Sequence, residues 1–333
     1  MIGLIIKCFH IYLKHLTEEP KMIQLKKILN ELDVRRGHFT KDSSIELIED
    51  YLYHDGVIPK SIADKVMSAI DKSKDESPLS KDLQSLIVSK AGIKVYGSGP
   101  IFIFKKPTRD GIIYSGFDFS QPAKKGLFFF GRLFTVKLNT RLMYSPKKQL
   151  NIDNAEEIHL SQVSKEYLGK GYGKLLYNAA MMSTDILYSD RVLFEGSFKM
   201  WINHIRKKSN FFGVAGEGDV ILPIFSEDGL DKTKLMKSTD GGLIAIMKKV
   251  PTQLIKLQEF LNGIEPYNLV VFQTKEKLEV VIKNIESSGS LDDLAKKYYS
   301  LYGTLKSGAG YIMAGNATIF VKESGDELEY FIL

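Results

Sequence analysis

The chain has a single cysteine, Cys8, among 333 residues. That scarcity excludes an internal disulfide and any cysteine-based zinc cluster, and it fits a reducing compartment such as the cytoplasm. Nothing reaches the roughly 18 uninterrupted apolar residues of a membrane span. The opening stretch MIGLIIKCFHIYLKHL is interrupted by Lys7, His10, Lys14 and His15. It has no small-residue cleavage site after it and reads as an amphipathic helix, not as a targeting signal. Long basic tracts are missing as well. Lys and Arg total 46 against 40 Asp and Glu, a formal net charge of +6, which suits an anionic ligand without marking a nucleic-acid surface. Internal repeats are absent. What is present, 44% hydrophobic and 26% charged residues, is the composition of a globular protein large enough for two or three domains.

The patterning divides the chain into a helical region, residues 1–90, a strand-rich region, 91–250, and a small α+β region, 251–333. In SSIELIEDYLYHDG, Ser43 is placed as an N-cap with Glu46 three residues on, apolar Ile45, Ile48 and Leu52 follow at helical spacing, and Gly56 is the stop. SIADKVMSAI after Pro59 and KDLQSLIVSKAG up to Gly92 read as further helices, with the polar stretch Asp71–Ser80 as a linker. From Ile93 the period changes. IKVYG, IFIFK, GIIYSGFDF and GLFFFGRLFTVKLN are short β-branched and aromatic runs divided by Gly, Pro and charged pairs, the pattern of antiparallel strands. Beyond Pro251 the reading is a helix at TQLIKLQEFLNG, a strand at NLVVFQT, helices at KLEVVIKNIESSG and LDDLAKKYYSLYG, and a hairpin at ATIFVKESGDELEYFIL.

Between these lies YLGKGYGKLL, Tyr167 to Leu176, with three glycines in five residues. AEEIHLSQV before it reads as a strand and KLLYNAAMMS after it as a helix. A strand that delivers a glycine-rich turn into a helix N-terminus makes an anion site, because unpaired N–H groups and the positive end of the helix dipole face the ligand. Spacing narrows the choice of ligand. A Walker loop needs glycine five residues before Gly173, where Leu168 stands, and Ser or Thr at Leu175. A dinucleotide fingerprint would need glycine at Lys174 or Leu176. Both readings fail.

The stretch resembles the acyl-CoA loop of the GNAT superfamily of N-acyltransferases, often written V-x-x-x-Y-R-G-x-G-x-G-x-x-L. Val163, Tyr167, Gly169, Gly171, Gly173 and Leu176 fall in register, and Leu168 replaces the family's Arg. The resemblance implies that acetyl-CoA is the co-substrate. It places the CoA pyrophosphate on the amides of Gly169, Gly171, Tyr172, Gly173 and Lys174, with Val163 on the strand that pairs with pantetheine, Leu168 in the vacated cation position, and Lys170 and Lys174 as charge. It also implies a mostly antiparallel α+β sheet with helices on both faces, in which two adjacent strands, ending near Val163 and Tyr188, run parallel and splay apart. Downstream, the family's N-x-x-A-x-x-L-Y helix finds Phe194, Ser197, Met200 and Trp201 at its four marked positions. An indole N–H donates hydrogen bonds but is no proton donor near neutral pH, so the family's usual acid is missing. The run SDR, then Ser, then MW is similar to a pattern in phage-encoded members, which would place the protein in a host cytoplasm or a virion.

Acyl transfer to an amine needs a base, because an amine with a pKa near 10.4 costs about 4–5 kcal/mol to present unprotonated at neutral pH. Strand alternation puts Glu157 and His159 on one face and Glu156 and Ile158 on the other. The resemblance implies a base on this strand, which makes Glu157 and His159 the candidate bases, and Tyr188 and Ser189, with Asp190, at the end of the following strand, are the candidate proton relay or acceptor contacts. His204 reads as a helix-surface residue. No metal site is expected. Three functions remain open: an N-acyltransferase acting on an amine of a protein or small molecule, a catalytically silent GNAT fold that assembles with protein partners through its flanking regions, and an acyltransferase that modifies nucleic-acid bases.

Overall fold

A computed structural model describes residues 43–333 apart from 74–75, 139–141, 146–147, 151–153, 190–192, 194, 216–219, 227–234, 236–241, 303–307 and 316. The described residues belong to one compact unit, Asp42–Leu333. The amphipathic helix expected at the N-terminus lies outside them, as do Asp190 and Phe194.

Three helices come first: α1 (Ser44–Tyr53), α2 (Lys60–Lys72) and α3 (Lys81–Ala91). Ser43 caps α1 in partnership with Glu46, whose Oε2 accepts from the Ser43 N–H at 2.7 Å and its hydroxyl at 2.8 Å. Pro59 precedes α2 at its N-cap, and Ser80 Oγ accepts from the Leu83 N–H at the start of α3. The stretch read as a linker is partly anchored: α2 runs to Lys72, Leu79 is buried, and Pro78 bridges to Pro122.

The strands that follow form a nine-stranded sheet in the order β1 (Ile93–Ser98), β2 (Ile101–Pro107), β3 (Ile112–Asp118), β4 (Phe129–Leu138), β7 (Ala155–Val163), β8 (Ile186–Tyr188), β11 (Leu243–Ile246), β9 (Phe211–Ala215) and β10 (Ile221–Pro223). A small separate pair, β5 (Leu142–Ser145) and β6 (Lys148–Leu150), lies between β4 and β7 in sequence. Every neighbouring pair of the large sheet is antiparallel except β7 and β8. The expected mixed, mainly antiparallel α+β architecture is the one observed.

Both faces are covered. Leu47, Ile48 and Tyr51 of α1 pack on Phe104, Phe117 and Phe129 of β2–β4, with Tyr51 stacked on Phe129 at 5.0 Å between ring centres. Full burial of each such side chain contributes about 1.5–3 kcal/mol. A charged contact fixes the same layer, since Arg132 on β4 reaches Asp50 at 3.1 Å and Asp55 at 2.5 Å. The opposite face carries α4 (Tyr172–Ser183) and α5 (Glu195–Met200), the latter continuing as a π-turn, Trp201–Ile205, and a short 3₁₀ turn, Arg206–Lys208.

Helix α6 (Thr252–Phe260) then leads to a second, five-stranded sheet in the order β13 (Tyr299–Tyr302), β12 (Val270–Thr274), β14 (Ala309–Ala314), β15 (Ala317–Ser324) and β16 (Glu327–Ile332), with α7 (Leu278–Glu286) and α8 (Leu291–Lys297). One face buries Val270, Phe272 and Ile312 against Val281, Ile285 and Leu294. The other places Tyr311 and Phe320 in the same core as Leu254 and Leu257 of α6. The helix expected through LDDLAKKYYSLYG stops at Lys297 and becomes β13, because its last residues are aromatic and fit a pleated surface better than a helix.

Candidate functional site

Strands β7 and β8 are in parallel register at only three positions, Ala155↔Ile186, Glu156↔Leu187 and Glu157↔Tyr188. β8 ends there, while β7 runs on through Ile158–Val163 with β4 alone as its partner. The sheet therefore opens beyond the Glu157–Tyr188 pair, and the glycine turn lies at the end of the half of β7 that β8 does not reach.

The turn begins with a 3₁₀ segment, Lys165–Tyr167, and is tied to the first helical layer. Ser44 donates its hydroxyl to Ser164 Oγ at 2.9 Å, and its N–H to Glu166 Oε2 at 3.0 Å. Tyr167 is buried, donates its hydroxyl to the Leu127 carbonyl, and packs edge-on against Tyr172 at 4.5 Å. Tyr172 in turn donates to Asp118 Oδ2 at 2.9 Å. Burial, then the bond to Asp118 and its charge, push the Tyr172 phenol up to about 12; burial with the Asp118 charge raises Tyr167 as well. Neither phenol ionises near neutral pH, so both act as struts.

The glycines take the positions a side chain would obstruct. Gly169 and Gly171 have φ of +73° and +87°, in the left-handed region that favours glycine. A Cβ built on either meets nothing within 4 Å. Gly173 is tighter: its Cβ would lie 3.5 Å from Val163 Cγ2 and 3.8 Å from Met200 Cε. Among the described residues no backbone carbonyl accepts from the N–H groups of Gly169, Gly171, Tyr172 or Gly173. Lys170 N–H bonds to the Tyr167 carbonyl at 3.2 Å and Lys174 N–H to the Gly171 carbonyl at 3.0 Å, so the Lys174 amide is already engaged. An open cradle lined by unpaired donors at a helix N-terminus fits a phosphate group. Leu168, in the vacated cation position, is 48% exposed. Lys170 stands over the Tyr167 ring at 5.8 Å.

The candidate bases meet. His159 Nε2 is 3.5 Å from Glu157 Oε2, both partly exposed. His159 is also the extra residue of a β-bulge, since β4 partners jump from Thr135↔Ile158 to Phe134↔Leu160. Bulges re-aim side chains beside sites, and no residue pattern in the sequence signalled this one. Glu156, on the other face, is fully buried and accepts from Lys105 Nζ at 2.7 Å, Tyr114 at 2.8 Å and Thr135 at 2.7 Å. That constellation satisfies the carboxylate and braces the root of the opening.

Tyr188 pairs with Glu157 across the junction, on the last shared register. Ser189 is differently employed. It is buried, and its Oγ accepts from the Leu243 N–H at 2.7 Å while its own N–H reaches the Leu243 carbonyl at 2.8 Å, which holds β8 to β11. Trp201 is buried on the π-turn near Phe212, its ring 6.3 Å away, and its Nε1–H has no partner among the described residues. His204 is half-buried and bonds to Asn178 Oδ1 at 2.9 Å. Among the described residues no cluster of His, Cys, Asp or Glu is arranged to hold a metal, and no helix is long and apolar enough to cross a membrane.

No family model and no curated protein matches the chain. Among solved structures it is similar to an acetyltransferase of the GNAT family from Staphylococcus aureus Mu50, with 12% identity and a TM-score of 0.26 over 64% of this chain and 96% of the other. A protein of Bacteroides thetaiotaomicron assigned to the acetyltransferases of the GNAT family gives 12% and 0.23 over 62% and 94%. N-acetylglutamate synthase from Neisseria gonorrhoeae, solved with coenzyme A and N-acetyl-glutamate, gives 13% and 0.23 over 59% of this chain and 34% of its own.

Proposed function

We propose that the protein is an N-acyltransferase whose site, carried by residues 91–250, holds acyl-CoA at the glycine turn and passes the acyl group to an amine. The observation that carries this reading is the coincidence of two features: a parallel strand pair that opens after Glu157 and Tyr188, and an unobstructed turn with unpaired amides at the end of the longer strand. The co-substrate supplies an electrophilic thioester carbon. The chain supplies the rest. Amides of Gly169, Gly171, Tyr172 and Gly173 hold phosphate oxygens, and the free edge of β7 up to Val163 guides the arm toward the opening. Glu157 and His159 accept the proton of the incoming amine, and their 3.5 Å contact lets either group carry it.

Isothermal titration of the full chain with CoA and acetyl-CoA tests the proposal. Micromolar binding that disappears in Gly171→Val, with the circular dichroism spectrum preserved, is the expected result. Unchanged affinity in Gly171→Val would remove the turn as the site. A second reading, a silent fold used for assembly, draws on Ser189 being committed to β11 and on Trp201 standing where an acid is wanted. Tight CoA binding with no acetyl transfer to any amine of a broad panel would favour it.

A further inference from the structure

Beside the glycine turn, two helical segments present matched pairs of polar residues to one another. Lys174 and Asn178 stand four residues apart on α4, and His204 and Lys208 stand four apart on the π-turn and the 3₁₀ turn after it, so each pair shares one helix face. Asn178 Oδ1 lies 2.9 Å from Lys208 Nζ and 2.9 Å from His204 Nε2. One neutral amide oxygen therefore gathers an ammonium and an imidazole, with a second ammonium, Lys174, close enough to act on His204. Elsewhere in the fold cations meet carboxylates, as Lys105 meets Glu156 and Arg132 meets Asp50 and Asp55. Among the described residues no carboxylate lies within ion-pair distance of Lys174, His204 or Lys208. Burial first, and then Lys208 and Lys174, hold the His204 pKa below its ordinary value, the response of an imidazole facing cations with no anion to balance them.

The group that would complete this cluster is an anion, and its place relative to the turn suggests which. Asn178 is five residues beyond Gly173, about 7.5 Å along a helix axis at about 1.5 Å per residue. A 5′-diphosphate and a 3′-phosphate on one ribose are separated by the width of the sugar, a span of the same order. We propose that Lys174, Asn178, His204 and Lys208 form a second anion subsite that takes the 3′-phosphate monoester of the coenzyme, so that the protein selects CoA over dephospho-CoA. The inference rests on the reading of the glycine turn as the pyrophosphate site and extends it to the far end of the same ligand. A phosphate monoester carries close to two charges at neutral pH, and two ammonium groups with an amide and an imidazole N–H supply charge and directed donors in matching number.

Calorimetric titration of the full chain with CoA and with dephospho-CoA, at fixed ionic strength, tests it. CoA should bind at least tenfold more tightly. Lys208→Ala combined with His204→Ala should bring CoA down to the affinity of dephospho-CoA and leave dephospho-CoA itself unchanged, which also shows that the variant is folded. Lys208→Ala alone, a change at an exposed side chain, should lose part of the preference. Equal affinity of the wild-type chain for both compounds would overturn the subsite and leave the turn in place. If neither compound binds, the turn and the subsite are removed together.

Discussion

Among the described residues there are two parallel strand junctions, β12 with β14 and β7 with β8, and they come to opposite ends. In the second sheet β12 and β14 stay in register over five positions, from Val270↔Gly310 to Thr274↔Ala314, under α7 and α8. In the first, β7 and β8 part after three. Glycine serves each in a contrary way. A Cβ on Gly310 would stand 2.5 Å from the Val270 carbonyl, so there glycine lets two backbones touch. At Gly169 and Gly171 a Cβ meets nothing, so there glycine permits a backbone turn and keeps space clear. Parallel pairing alone makes no site; an opening arises where one strand is too short and its longer partner ends in a turn of unpaired amides.

The sharpest way to break that contrast is at the root of the open junction. Glu156→Ala removes the carboxylate that accepts from Lys105, Tyr114 and Thr135 and leaves the ammonium with only the more distant Ser183 carbonyl, at 3.4 Å, among the bonds described. Loss of one member of a buried pair costs about 3–5 kcal/mol. Lys105 is 17% exposed, which lets water recover some of this and sets the expectation at the lower end. Urea denaturation measures it, and an unchanged midpoint would mean that the three paired positions need no charged brace.

The glycines come next, as a matched pair of substitutions. Gly310→Val forces a side chain into the Val270 backbone and should destabilise the fold by about 1–3 kcal/mol or more, as overpacking does. Gly171→Val meets no neighbour, and its penalty is the left-handed conformation, about 1–2 kcal/mol. The first should lower the melting temperature more, with little effect on CoA affinity in the protein that remains folded, and the second should lower it by only a few degrees while abolishing CoA binding. Equal behaviour of the two would erase the distinction between a contact glycine and an access glycine.

Much of this difference could be read from residue types, and some could not. Strand β7 was legible to the residue, Ala155–Val163, because its alternation is flanked by a glycine turn. Helical spacing places Leu175, Leu176 and Ala179 on the inner face of α4; Leu176 and Ala179 are buried and Leu175 is half-buried. Strand β14 went unread, since AGYIMA begins with two small residues and has no alternation; its partner β12 supplies the reason it is a strand. The same limit applies to the site. Glu157 and His159 come together by local alternation, but the bulge at His159, the bond of Ser189 to Leu243 and the bracing of the turn by Ser44 depend on strands and helices distant in sequence. Local pattern carries no record of such pairings.

If the open junction is catalytic, its carboxylate and imidazole should matter in a way that the closed junction's residues do not. Glu157→Gln with His159→Ala should lower kcat/KM for acetyl transfer on the order of a hundredfold, within the range for a lost general base, while leaving the CoA dissociation constant close to that of the parent. Equivalent loss from a change in β12 or β14, or a rate insensitive to the double change, would refute the assigned base.

The smallest effect should come from Trp201, although it is the largest side chain in the core beside the turn. Trp201→Phe removes part of a buried ring, a cavity-forming change that costs a fraction of the about 3–5 kcal/mol of a Trp→Ala substitution. It also removes an indole N–H that has no partner among the described residues, and an unsatisfied buried donor is itself worth about 1–3 kcal/mol of instability. The two offset, and the melting temperature should move by only a few degrees. The rate should change little as well. A thiol with a pKa of about 8.5 regains its proton from solvent at neutral pH, and an indole N–H cannot supply one. Trp201 is the chain's one tryptophan, so its indole gives a single N–H resonance against which the result can be checked. A tenfold fall in kcat, about 1.4 kcal/mol, together with a downfield shift of that resonance on adding acetyl-CoA, would show that the unpaired N–H finds its acceptor on the ligand and would move Trp201 from packing into the reaction.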